Sequence, residues 1–218
     1  MAAVERDGDV WVLDLGETEN RLNGDSVAEL GALLDEVEAA EGPKALVVRA
    51  TGKSWTNGLD LDWMMADPER AGPLVMSVEA LLARVLVLPV PTVAALTGHC
   101  YAAGAMLSVA HDIKVMRVDR GYWCLPEVDI GLPFTAGMNA LLVAKLPRRT
   151  AHEAMTTGRR YTAPEAEAAG ILDATAEQDA VVAAAVERAA ALAGKAGDVL
   201  GQIKTRLYAD AFVALTTG

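Results

Sequence analysis

The stretch Leu96-Thr-Gly-His-Cys-Tyr-Ala-Ala-Gly-Ala-Met-Leu-Ser-Val-Ala-His-Asp112 passes from one periodicity to another. An apolar strand, Val90 to Thr97, runs into small residues at 102–105 and then into helical spacing, which leaves the first backbone N–H groups of the helix without intrahelical partners. Such a turn can hold an anion. The helix N-terminus adds partial positive charge, and small residues let a ligand approach the main chain. Ser54-Trp-Thr-Asn-Gly-Leu-Asp60 is a second turn of this kind, and Glu127 follows the first by about one strand and a turn. Two donor turns and one carboxylate are the parts of an enolate-stabilising site. Taken alone, a Gly/Ala-rich turn serves tight helix–strand packing equally well.

On the N-terminal side, Val10 to Leu15 alternates and reads as a strand, paired through a turn at Gly8 with residues 2–6. Asp25 or Ser26 can cap a helix carrying Val27, Leu30, Leu33, Leu34 and Val37, which Gly42-Pro43 stops. Lys44 to Ala50 is a short apolar strand of the doubly buried kind. Asp60-Leu-Asp-Trp-Met-Met opens a short helix ended by Asp67-Pro68, and Pro73 to Leu88 is a long amphipathic helix closed by Pro89 and Pro91. On the C-terminal side come strands at Ile113 to Val118 and Tyr122 to Leu125. Helical spacing then runs over about 137–145, 148–156, 163–168, 177–193 and 197–213. Alternating strands and helices followed by helices alone predict an α/β core, residues 1–195, with a helical C-terminal segment, 196–218, and no internal repeats.

The chain of 218 residues is 52% hydrophobic and 22% charged, as expected of one well-buried domain. Its net charge of −11 argues against nucleic-acid or anionic-membrane partners. No apolar run reaches membrane-spanning length, the N-terminus has no leader pattern, and Cys100 and Cys124 read as buried free thiols of a reducing compartment. A cytoplasmic location is expected.

Several chemistries fit the residues poorly. No Lys-Ser/Thr follows the glycine at 104, the GxGxxG spacing is absent, and no GxSxG occurs. The three histidines, His99, His111 and His152, are scattered. His99 reads as a core residue or a neighbour of the ligand, and Asp60 and Asp62 as helix caps rather than a metal pair. Glu127 differs. It follows an apolar strand and a proline, where a carboxylate with little solvent has a raised pKa and can act as a base on a carbon acid, although a loop-facing glutamate is the plainer alternative.

Ser54-Trp-Thr-Asn-Gly-Leu-Asp-Leu, Pro91-Thr-Val-Ala-Ala-Leu-Thr-Gly-His, Ala102-Ala-Gly, His111-Asp-Ile and Pro126-Glu-Val-Asp-Ile-Gly-Leu-Pro resemble, in order and spacing, the crotonase (enoyl-CoA hydratase/isomerase) superfamily. The resemblance runs from about Val10 to Leu207. Thr97-Gly-His, Ala102-Ala-Gly and Arg117-Val-Asp-Arg-Gly121 are most similar to the plant-type monofunctional Δ3,Δ2-enoyl-CoA isomerases.

The resemblance implies an α/β fold, a crotonase-like spiral of ββα units with a helical C-terminal region used in trimerisation, as a homotrimer or a dimer of trimers. Carried over by position, the N–H groups of Leu59 and Ala103 would form the oxyanion hole for the thioester oxygen and Glu127 would move the proton. Alanine replaces the usual family glycine at 103, which keeps the donor and narrows the pocket. Hydratases of the family carry a second glutamate at the position of Met106. Its absence favours shifting the double bond of a 3-enoyl-CoA over adding water, because one carboxylate suffices to take a proton from C2 and return it at C4.

No metal or redox cofactor is implied, since coenzyme A arrives as part of the acyl-CoA thioester. Its binding would involve Arg21 and Leu22, Lys53, Asn57, Gly58, Asp60, Leu61, Tyr101, Ala102, Gly104 and Met106. Trp63, Trp123, Leu132 and Phe134 are candidates for the acyl channel or for core packing. Arg148-Arg149 and Arg159-Arg160 read as solvated helix ends. The chain ends soon after Leu207, so a short last helix is expected. A hydratase-like reaction using Asp129 as a spare acid, another crotonase-type acyl-CoA reaction, and a non-catalytic acyl-CoA binder on the same fold are the competing readings.

Overall fold

The turn at Gly8 folds β1 (Ala3–Asp7) antiparallel onto β2 (Val10–Asp14), as the alternation predicts. In this computed structural model, which describes residues 2–217, α1 (Gly24–Ala39) then buries Val27, Leu30, Leu34 and Val37. Its cap is Asn23, one turn earlier than expected. The Asn23 side chain accepts from the Ser26 N–H while the Ser26 hydroxyl accepts from the Asn23 N–H, a reciprocal box that places Ser26 inside the helix.

A unit then recurs. β3 (Ala45–Arg49) enters a large sheet, β4 (Ser54–Thr56) enters a small one, and α2 (Leu61–Met65) and α3 (Ala71–Val87) follow. β5 (Thr92–Leu96) and β6 (His99–Tyr101) repeat the move and feed α4 (Ala103–Ala110). β7 (Ile113–Arg117) and β8 (Trp123–Cys124) repeat it again and feed α5 (Glu127–Ile130). The large sheet has the order β1-β2-β3-β5-β7-β9, parallel beyond β2, and the small sheet β4-β6-β8 is parallel throughout. This is the ββα spiral that the resemblance implies.

The corners between the two sheets are tight. A β-carbon on Gly98 would lie 2.2 Å from the Lys53 carbonyl oxygen, and one on Gly121 would lie 2.8 Å from the Gly98 carbonyl carbon. Each turn of the spiral therefore stacks on the backbone of the one before, which glycine alone permits. The strand expected at Tyr122 to Leu125 contains β8, but the repeat does not show in the sequence because β4 and β6 are three residues long, too short to alternate visibly.

Helices complete the chain: α6 (Ala136–Lys145), α7 (Arg148–Thr157), α8 (Ala163–Ala168), α9 (Val181–Leu192), α10 (Asp198–Leu207) and α11 (Ala209–Thr216). The strand β9 (Ala174–Ala176), read as a connection in the sequence, pairs with β7 and closes the large sheet. The single helix expected over 197–213 is two helices broken at Tyr208, where ψ turns to 27°. Val10, Val47, Val93 and Val115 pack with Ala185 and Ala189 of α9 on one face of the large sheet, and the larger core fills the other.

The C-terminal helices are pinned by charge. Lys204 on α10 is 4% exposed and donates to Asp112 Oδ2 at 2.6 Å and to the Val90 carbonyl at 3.1 Å. Asp112 also accepts from the Thr92 N–H. Replacing Lys204 by alanine removes one partner of a largely buried pair, so the expected outcome is a loss of roughly 3 kcal/mol in stability, measured by urea unfolding.

Candidate functional site

The two donor turns meet at the C-terminal ends of adjacent parallel strands, β4 and β6. Leu22 pairs with the first turn, its N–H donating to the Gly58 carbonyl at 2.7 Å and its carbonyl accepting from the Asp60 N–H at 2.9 Å. Alternation along an extended segment then turns the Leu59 N–H the opposite way, away from Leu22. In the second turn Ala103 is the first residue of α4, and its N–H has no hydrogen-bond partner among the described residues.

Gly58, at φ 81°, lets the turns touch. A β-carbon there would lie 2.9 Å from both the Ala102 β-carbon and the Ala103 nitrogen. Ala102 itself adopts φ 52° and ψ −128°, a glycine-like conformation that costs about 1–3 kcal/mol for an L-residue. Strain is concentrated at the junction that presents the donors.

Leu59, Ala102 and Ala103 line a cavity of about 280 Å³ together with Asn57, Leu61, Tyr101, Met106, Glu127 and Leu132. Those nine residues, all singled out in the sequence, come from four segments of the chain. Further walls come from Met64, Val75, Pro126, Ile130, Pro133, Thr135 and Met138. The sequence reading missed these, because whether a turn or helix residue faces this void depends on packing between distant segments.

Glu127 opens α5 directly after Pro126 and is 7% exposed. Its Oε2 is buried without a hydrogen-bond partner among the described residues, and no other carboxylate lines the cavity. Burial raises its pKa from 4.5 to about 7, with its own backbone N–H opposing more weakly. Asn57 Oδ1 is likewise buried without a partner at the cavity wall. Unpaired acceptors, free N–H donors and apolar walls suit a ligand with a polar head on an apolar chain.

Other expected residues stand elsewhere. Trp123 is fully buried, its indole N–H donating to Ser108 Oγ at 3.0 Å and its ring edge-on to Tyr161; it is a core residue and not a wall of the channel. Gly104 packs on β4, where a β-carbon would lie 2.6 Å from the Thr56 carbonyl oxygen. Leu22 is buried in the first turn, and Asp60 caps α2 by accepting from the Trp63 N–H. Trp63 lies under the Arg70 guanidinium, and Phe134 lines a neighbouring recess of about 650 Å³ that shares Glu127.

Among the expected cations, Arg21 is held by Glu19 at 2.6 Å and Asp62 at 2.7 Å, whereas Lys53 is exposed and forms no ion pair among the described residues. Arg159 pairs with Glu153 and Glu165. His99 lies against Tyr101 and Tyr122, and burial, reinforced by Lys53, Arg120 and Arg160, holds its pKa below the usual value. Asp129 is exposed and outside the cavity, so it is not placed to act as a second acid there. No group of three or more metal-ligating side chains occurs among the described residues.

The ββα spiral, with paired donor turns beside a cavity that holds a buried carboxylate, defines the class of scaffold to which the chain belongs. The enoyl-CoA hydratase/isomerase family profile matches residues 8–218, and the chain belongs to that family. It is 37% identical to enoyl-CoA delta isomerase 3 of Arabidopsis thaliana over 96% of this chain and 93% of the relative. It is 35% identical to the peroxisomal enoyl-CoA delta isomerase 2 of the same plant, with the same coverage. The crystal structure of human mitochondrial delta3-delta2-enoyl-CoA isomerase superposes with a TM-score of 0.92 at 21% identity, covering 99% of this chain and 86% of that one.

Glu127 gives the site a stability signature. Its folded pKa of about 7 lies above the unfolded value of 4.5, so the folded protein holds an extra proton between them and loses stability as pH rises through that window. Glu127→Gln removes this penalty. Urea unfolding is expected to show the variant more stable than the parent at pH 8, by up to about 3 kcal/mol, with the gain shrinking as pH falls toward 5.5.

Proposed function

We propose that this protein is a Δ3,Δ2-enoyl-CoA isomerase, moving the double bond of a 3-enoyl-CoA thioester into conjugation at C2. The observation that carries the reading is a single carboxylate among the described residues, Glu127, in a mostly apolar cavity beside two outward-turned N–H groups. The names of the plant relatives support it.

The thioester carbonyl oxygen accepts from the Leu59 and Ala103 N–H groups, and Glu127 removes a proton from C2. The negative charge spreads over the dienolate, where each donor contributes about 3 kcal/mol to the transition state. Glu127, now protonated, returns the proton at C4. A base with a pKa near 7 suits both halves, being ionised in enough molecules to accept the proton and acidic enough to give it back. Met106, 1% exposed, fills the place where a hydratase of the family carries its second glutamate, leaving an added water without a second carboxylate to orient it.

The chemistry as proposed requires no metal or redox cofactor, because coenzyme A enters as part of the substrate. Exposed Lys53 is the cation proposed to meet the CoA phosphates, with Arg21 released from its carboxylates. A homotrimer or dimer of trimers is proposed on the stripe Val199, Ile203 and Leu207, which stand 72%, 57% and 67% exposed along one face of α10. A cytoplasmic location is proposed from the buried free thiols Cys100 and Cys124. Among the described residues no helix is long and apolar enough to cross a membrane.

The test is absorbance of the conjugated enoyl thioester. The protein is expected to raise it from a 3-enoyl-CoA, to leave a 2-enoyl-CoA unhydrated, and to lose at least a thousandfold in rate as Glu127→Gln. The rate should climb with pH to a plateau above about 7, where Glu127 is ionised. Loss of absorbance from the 2-enoyl-CoA would establish hydration and overturn the argument from Met106. Binding without turnover of either ester would favour a non-catalytic acyl-CoA binder.

A further inference from the structure

The cavity beside Glu127 is walled on the side of Met138. Its rim carries Ile130 and Leu132, 48% and 42% exposed, whereas Met106 and Met138 at depth are 1% and 5% exposed. Beyond Met138, α3, α6 and α11 pack together around the buried carboxylate of Glu79, which is 3% exposed and accepts from the hydroxyl of Thr135, another wall residue. The Thr135 hydroxyl in turn caps α6 by accepting from the Met138 N–H at 3.1 Å. A β-carbon on Gly137 would lie 2.5 Å from Glu79 Oε1 and 2.8 Å from the Leu215 α-carbon, so α6 is already pressed against α11 behind this wall. The floor cannot retreat without moving a helix.

We infer that the Met138–Thr135–Glu79 floor, backed by α11, limits the acyl group to a short or medium chain. At about 280 Å³ the cavity lies at the small end of ligand sites, which run from about 300 to 1,000 Å³, so it has room for a short or medium chain and not for a long one. Met138 is the specificity-determining residue. Its flexible side chain forms the floor at the point where further methylenes would arrive.

The inference rests on the isomerase reading, and two parallel measurements separate them. Binding of saturated acyl-CoA esters of four to sixteen carbons, followed by calorimetry, tests length without requiring turnover. Affinity is expected to rise about fourfold per methylene, the value of one buried CH2, through the short esters, and then to level off or fall before twelve carbons. Met138→Ala should raise the affinity for the twelve-carbon ester relative to the eight-carbon one at least tenfold, and Met138→Val serves if the alanine variant does not fold. Turnover of 3-hexenoyl-CoA and 3-dodecenoyl-CoA by the parent protein supplies the second readout, with at least a tenfold lower kcat/KM for the longer ester.

A break before twelve carbons without turnover of either ester leaves the length limit standing and removes the isomerase. Turnover with equal kcat/KM for both esters and affinity climbing through twelve carbons overturns the limit and keeps the isomerase, the tail then passing over residues 131–135 into the recess at Phe134 and Met155. A break that stays at the same length in both Met138 variants overturns the role given to Met138.

Discussion

The contact between two backbone turns governs this molecule. Gly58 and Ala102–Ala103 approach so closely that a single β-carbon at 58 would overlap the second turn. That approach is possible because β4 and β6 lie side by side in a parallel sheet and end at the same level. Two N–H groups distant in sequence thereby face one void, their geometry set by strand pairing and a helix start rather than by mobile side chains. Ala102 tolerates a glycine-like backbone there because the sheet on one side and α4 on the other leave it no alternative.

The second constraint is electrostatic. Glu127 is a titratable group held among mostly apolar walls with its buried Oε2 unpaired among the described residues, which destabilises the folded protein at neutral pH. The same burial brings its pKa to the range in which a carboxylate can both take and return a proton. Unlike Lys204, whose charge is met by Asp112 and the Val90 carbonyl, Glu127 has no cation to offset its desolvation. One buried charge secures the C-terminal helices, and the other is left reactive.

Rigidity around the cavity comes from the spiral and from its closing helices. Glycine corners let successive units stack backbone on backbone, and α11 braces α6 and α3 from behind. The walls nearest α2 are looser, since none of that helix's residues is fully buried. A cavity with one firm end and one yielding side suits a ligand that enters by its chain and leaves a large polar head outside.

Much was legible in the sequence. The apolar run into Ala102-Ala-Gly announced a strand feeding a helix, Asn57-Gly58 announced a turn, and Pro126 ahead of Glu127 announced a carboxylate short of solvent; each depends on neighbours along the chain. Trp123 shows where this stops. An aromatic residue four places before Glu127 was a natural candidate for the channel, yet β8 pairing turns it to the core beside Ser108 and Tyr161. The short strands β4 and β6, the pairing of β9, and the walls Val75, Thr135 and Met138 were equally hidden. Which segments could be strands, helices and donor turns is written in the order of residues, because those preferences are local. Tertiary structure alone decided which face of each met the cavity, because a parallel sheet joins residues through long crossovers and its register is set by packing that no short window of sequence contains.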